Sequence, residues 1–174
     1  MRALVVYESM YGNTHLIADA IGAGLGPDAT VVSVHDATRE LVEAADLLVV
    51  GGPTHMHGLT RESSRTAAAE AAAKPDSPLT MDPDAFGDGL REWFDALGDM
   101  TAERRAAAFD TRMPGPPALT GRASKGIAKR LRRHGFRLIA DPESFLVDRD
   151  TTLEEHEEDH ARAWGASLTT TVEA

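Results

Sequence analysis

Between residues 7 and 14 the sequence reads YESMYGNT, a stretch whose side chains can hold an anion without carrying a positive charge. Ser9, Tyr11, Asn13 and Thr14 supply hydroxyl and amide donors, and Gly12 lets the backbone come close to a ligand. An apolar run, Leu4, Val5 and Val6, precedes it, and a helical pattern at Leu16, Ile17 and Ile21 follows. The stretch is therefore expected to be a tight loop between strand and helix, with the unpaired N–H groups of the helix start turned toward the ligand. Phosphate suits such a loop. Neither GxxxxGK[ST] nor GxGxxG is present at this point, which leaves a monophosphate cofactor as the common candidate. The competing reading is a helix start capped by Asn13 or Thr14, with no ligand.

Two further stretches fall where an open α/β sheet places its ligands, beyond the carboxyl ends of strands. LLVVGG at 47–52 is an apolar run without alternation, as expected of a central parallel strand covered on both faces, and it empties into GGPTHMHG at 51–58. RAAAFDT at 105–111 reads as a later strand and opens into DTRMPGPPALTG. A fourth pattern, HEEDH at 156–160, has the spacing of a zinc-protease helix, but it lies in an acidic segment with no third ligand motif, so a solvated helix face is expected and no metal.

The strand, glycine-bearing loop and helix at the start resemble the opening of flavodoxins and flavodoxin-like proteins. The resemblance implies that Ser9, Met10, Tyr11, Gly12, Asn13 and Thr14 wrap the phosphate of FMN, with Tyr11 standing where a small hydroxyl residue is usual. It also implies that Pro53, Thr54, His55, Met56, His57 and Gly58 line the isoalloxazine ring, matching P-T-x-x-x-G at Pro53, Thr54 and Gly58. By order along the chain, Asp110, Thr111, Arg112 and Met113 form the second ring loop. No catalytic residue is assigned.

The elements that must position these loops follow from periodicity. A helix is expected over 14–25, closed by Gly26-Pro27, with strands at 30–34 and 47–52 and a short helix at 38–45 between them. TAAAEAAAK at 66–74 should be an exposed helix, and Phe86, Leu90, Trp93, Phe94 and Leu97 form the buried stripe of another. A basic helix at 122–134, a fifth strand at 136–140, a turn at Asp141-Pro142 and a last helix at 153–168 complete the chain. This alternation predicts one domain over 1–174, an α/β/α flavodoxin-like fold with a doubly wound five-stranded parallel sheet, to which the resemblance gives the order 2-1-3-4-5.

A net charge of −10 argues against a general nucleic-acid binder, and the absence of cysteine excludes disulfides, thiolate catalysis and thiolate-held clusters. No signal peptide or membrane span is expected, so a cytoplasmic location follows by default. Three functions remain open. The first is an FMN protein carrying electrons between larger redox partner proteins. The second is a flavoenzyme resembling NAD(P)H:quinone oxidoreductases or flavodoxin-type protoporphyrinogen oxidases, and the third a flavin-free relative acting through protein contacts. The carrier ranks first because no acid or base constellation stands out.

Overall fold

The computed structural model describes residues 1–55, 58–100 and 103–173. In chain order its elements are β1 (Ala3–Tyr7), α1 (Asn13–Leu25), β2 (Ala29–Ser33), α2 (Arg39–Ala44), β3 (Leu47–Pro53), α3 (Glu62–Ala72), α4 (Leu90–Leu97), β4 (Arg104–Arg112), α5 (Pro117–Thr120), α6 (Ala123–Arg133), β5 (Phe136–Leu138), β6 (Glu143–Leu146) and α7 (Glu157–Glu173). The strands make one parallel sheet in the order β2-β1-β3-β4-β5, with β6 also paired to β4. This is the expected doubly wound order, 2-1-3-4-5.

Alternation along the strands sorts the core into two layers. Leu4, Val6, Leu48 and Val50 face α4 and α6 through Phe94, Leu97, Ile127 and Leu131, whereas Val5, Tyr7, Leu47 and Val49 face α1 and α7 through Ile17, Ile21 and Leu168. Each of these large side chains contributes about 1.5–3 kcal/mol by leaving water. The glycines of GAGLG serve the second layer. A Cβ on Gly24 would lie 2.0 Å from the Arg162 carbonyl oxygen, and one on Gly165 would lie 2.4 Å from that of Ile21, so α1 and α7 meet backbone to backbone.

Two expectations need correction. Phe86 is not part of the buried stripe. It is 64% exposed, because the chain turns at Gly87 (φ 98°) and the helix starts only at Leu90. The chain also does not turn away at Asp141-Pro142. Phe136–Leu138 pairs with Arg104–Ala106, Glu143–Leu146 pairs with Phe109–Arg112, and both lie parallel along the same edge of β4. The fifth strand is thus interrupted at 139–142, where Pro142 can donate no ladder hydrogen bond, and then resumes. Its second half carries Val147 and the following loop to the carboxyl edge of the sheet.

Candidate functional site

At the end of β1 the chain first spends a carboxylate on structure. Glu8 is buried, accepts the Leu90 N–H at 2.9 Å and the Thr60 hydroxyl, and so caps α4. The loop then closes on itself: the Ser9 Oγ accepts the Gly12 N–H at 3.1 Å, and Gly12 takes φ 92°, in the left-handed region that favours glycine. α1 begins with no side-chain cap and no acid in its first turn. Leu16 is the first residue to bond back, to the Gly12 carbonyl at 3.0 Å. The N–H groups of Asn13, Thr14 and His15 therefore have no acceptor among the described residues, at the end of a helix whose dipole attracts negative charge. The capped-helix reading of this stretch does not describe it.

The three loops singled out by sequence meet in one cleft of about 310 Å³, within the range of small-molecule sites. The first loop contributes Met10, Tyr11, Asn13 and Thr14, the second Pro53, Thr54 and His55, the third Thr111, Arg112 and Met113. Thr14 and Thr111 share a hydroxyl–hydroxyl bond of 2.7 Å. Two hydroxyls joined by one bond leave one proton free for a ligand. Arg112 is folded back, its Nη1 donating to the Met113 and Gly115 carbonyls at 3.1 Å each. Gly58 pairs with His55 through N–H to carbonyl bonds of 2.8 and 3.1 Å, and does not line the cleft. Met56 and His57 lie outside the described residues.

Asp110 is placed differently from a ring-facing carboxylate. It is fully buried, and its Oδ2 accepts the Thr54 hydroxyl at 3.0 Å and the Ser124 N–H at 2.8 Å, fastening the second loop to the start of α6. Tyr11 lines the cleft, but its hydroxyl is already engaged, donating to the Ala68 carbonyl of α3 at 3.1 Å. A fourth loop that the sequence reading passed over completes the cleft. Val147 and Thr151 line it, and the Asn13 Nδ2 donates to the Thr151 carbonyl at 2.8 Å. The signal was present in Asp148, whose Oδ1 accepts the Asp150 and Thr152 N–H groups as turn-forming aspartates do.

The segment before α4 braces the first loop from behind. Asp82 donates its N–H to the Met10 carbonyl at 2.8 Å, and its carboxylate meets His15 Nδ1 at 3.2 Å. His15 stacks on Tyr7 with ring centroids 4.3 Å apart, and the Tyr7 hydroxyl donates to Asp84 at 2.7 Å. Burial, reinforced by that bond and by the charges of Asp84, Asp82 and Asp19, holds the Tyr7 phenol well above its ordinary range. Burial raises Tyr11 as well. The HEEDH pattern straddles the start of α7: His156 stands before the helix at φ 71°, while His160 leans on Phe145 and meets Glu157 at 3.1 Å.

Comparison with known proteins bears on this geometry. No curated protein matches the sequence. Among solved structures, a flavodoxin from the domain Archaea aligns over 100% of both chains with TM-score 0.66 at 21% identity. Flavodoxin 1 from Bacillus cereus aligns over 98% of both with TM-score 0.64 at 16% identity. A flavodoxin, WrbA-like protein from Agrobacterium tumefaciens covers 98% of this chain and 96% of its own, with TM-score 0.60 at 22% identity. At these identities the likeness establishes the fold. The profile of the Flavodoxin family matches residues 5–164, a span that holds all four loops of the cleft, and the chain belongs to that family.

Proposed function

We propose that the chain binds FMN in this cleft and works as a cytoplasmic electron carrier between larger redox proteins. The observation that carries the reading is the first turn of α1, which lacks a cap and a carboxylate and opens into the cleft where the loops converge. Its free N–H groups and the spare hydroxyl proton of the Thr14–Thr111 pair fit a phosphate with neutral donors alone. Bound there, the flavin supplies reversible electron transfer. Pro53, His55, Met10 and Met113 offer the ring an apolar and thioether-rich wall, and the Asp110–Thr54–Ser124 bonds hold the second loop in position. Asn13, tied to Thr151, keeps the fourth loop against the cleft and limits the access of water.

Reconstitution with FMN and with riboflavin tests the reading. FMN should bind much more tightly, and Thr14→Ala should weaken FMN by about 1.5–3 kcal/mol, roughly ten- to a hundredfold in Kd, with little effect on riboflavin. Equal affinities for the two flavins would sink it.

A further inference from the structure

A second cavity, of about 580 Å³, adjoins the cleft at His55, which lines both, and its chemistry is opposite to that of the molecule as a whole. In a chain of net charge −10 it is lined by Arg61 and Arg91 with Ser63 and Ser64, over a floor that includes Leu59 and Ala67. Among the described residues neither guanidinium has a carboxylate within 4.0 Å, although ion pairs are made elsewhere, as between Arg65 and Glu92 at 3.3 Å. Arg91 is not a loose surface side chain. Its Nε donates to the Thr60 carbonyl at 2.7 Å and its Nη2 to that of Leu59 at 3.0 Å, which fixes the guanidinium and leaves Nη1 without a protein partner among the described residues. Arg130, outside the cavity lining, is held below its ordinary range by burial first and then by the charge of Arg91, with Asp95 opposing the shift. Two guanidiniums that line one cavity without a carboxylate partner among the described residues favour an anion between them.

We propose that this cavity binds a small organic anion, its apolar body on Leu59 and Ala67 and its phosphate or carboxylate between Arg61, Arg91 and the serines of the first turn of α3. Because His55 lines both cavities, the bound molecule lies against the ring end of the flavin cleft. That last placement rests on the FMN reading; the binding itself does not.

The test is an amide-resolved NMR titration of the full chain, with and without added FMN, using 2-naphthyl phosphate, 2-naphthoate and the neutral naphthalene-2-methanol. At least one anion should give saturable shifts at Gly58, Leu59, residues 61–67 and Arg91, and the neutral compound should bind about tenfold more weakly or worse. The stronger of the two anions identifies the head group. Arg61→Gln, an exposed side chain whose loss leaves the fold intact, should weaken the anion about fivefold or more, and so should about 0.5 M NaCl. Equal binding of the neutral compound, wild-type affinity in Arg61→Gln, or anion shifts confined to residues 9–14 would overturn the proposal. Failure of FMN to bind while the shifts at 58–67 persist would defeat the flavin reading and leave this one standing.

Discussion

The tyrosines give the sharpest residue-scale test. The chain contains two, Tyr7 and Tyr11, and both phenols are held above their ordinary range, chiefly by burial. The folded state therefore keeps protons that the unfolded chain releases near pH 10, so their stabilising contribution is intact below about pH 10 and is lost as the pH rises further. Tyrosinate absorbance at 295 nm should lag behind that of the unfolded chain as the pH rises past about 10 while the circular dichroism is still native, and should reach its full amplitude only with unfolding. Early ionisation of either ring in the folded protein would show that the 59–84 segment does not seal them. Gly12→Val makes a second test. It forces a β-branched residue into φ 92° and should reduce FMN affinity at least as much as Thr14→Ala, with binding followed by flavin fluorescence. Residue types were a fair guide to which loops meet, because hydroxyls, glycine and proline after apolar runs report strand ends directly. They did not tell where a side chain points. Asp110 was expected at the ligand and is instead buried behind it on Thr54 and Ser124, while Tyr11 does line the cleft with its hydroxyl taken by Ala68, partners that no local pattern names.

Helices and strands were legible wherever one face is apolar over several turns, as in α1, β3 and α4, and boundaries moved where tertiary partners set them. Glu8 fixes the start of α4 from the far side of the sequence, which is why Phe86 dropped out of the stripe. The split of the fifth strand was not readable as such, since Asp-Pro reads as a turn whether the chain leaves the edge or resumes along it. The glycines of α1 are the opposite case: as sequence they only ended a helix, and in the fold they set its distance from α7. Gly24→Val should therefore cost about 1–3 kcal/mol through overpacking against the Arg162 carbonyl, seen as a lower Tm by circular dichroism. Gly26→Ala is the control for space, since an added Cβ there meets nothing within 4 Å and only the backbone conformation at φ 104° opposes it. If the two variants melt alike, crowding between α1 and α7 is not the cause.

At the scale of the whole molecule the charges are unevenly spread around the cleft. Exposed Asp150, Glu155, Glu158 and Asp159, with one exposed cation, Arg149, among them, flank the loop that carries Thr151, while Arg132 and Arg133 crowd the last turn of α6, at the end of the sheet where β4 begins and away from the cleft. On the FMN reading, this acidic patch on the Thr151 side of the cleft should steer the protein toward basic partners, against the opposing field of Arg61 and Arg91 on the His55 side, and the steering should fade as salt shortens the screening length from about 30 Å at 0.01 M to roughly 3 Å at 1 M. Reduction of cytochrome c, a basic one-electron acceptor, by the photoreduced FMN-loaded protein is a suitable measurement. One electron leaves the reduced flavin and one ferric haem becomes ferrous at each encounter. The second-order rate should fall about tenfold or more between 10 mM and 500 mM salt. Asp150→Lys with Glu155→Lys should lower the low-salt rate and leave the high-salt rate nearly unchanged, because neither side chain lines the cleft. Arg132→Glu with Arg133→Glu changes the net charge in the opposite direction but on the far end, and should raise the low-salt rate only slightly. If the far-end pair moves the rate as much as the acidic-patch pair, net charge and not the patch governs the encounter, and the cleft is not the face through which electrons leave.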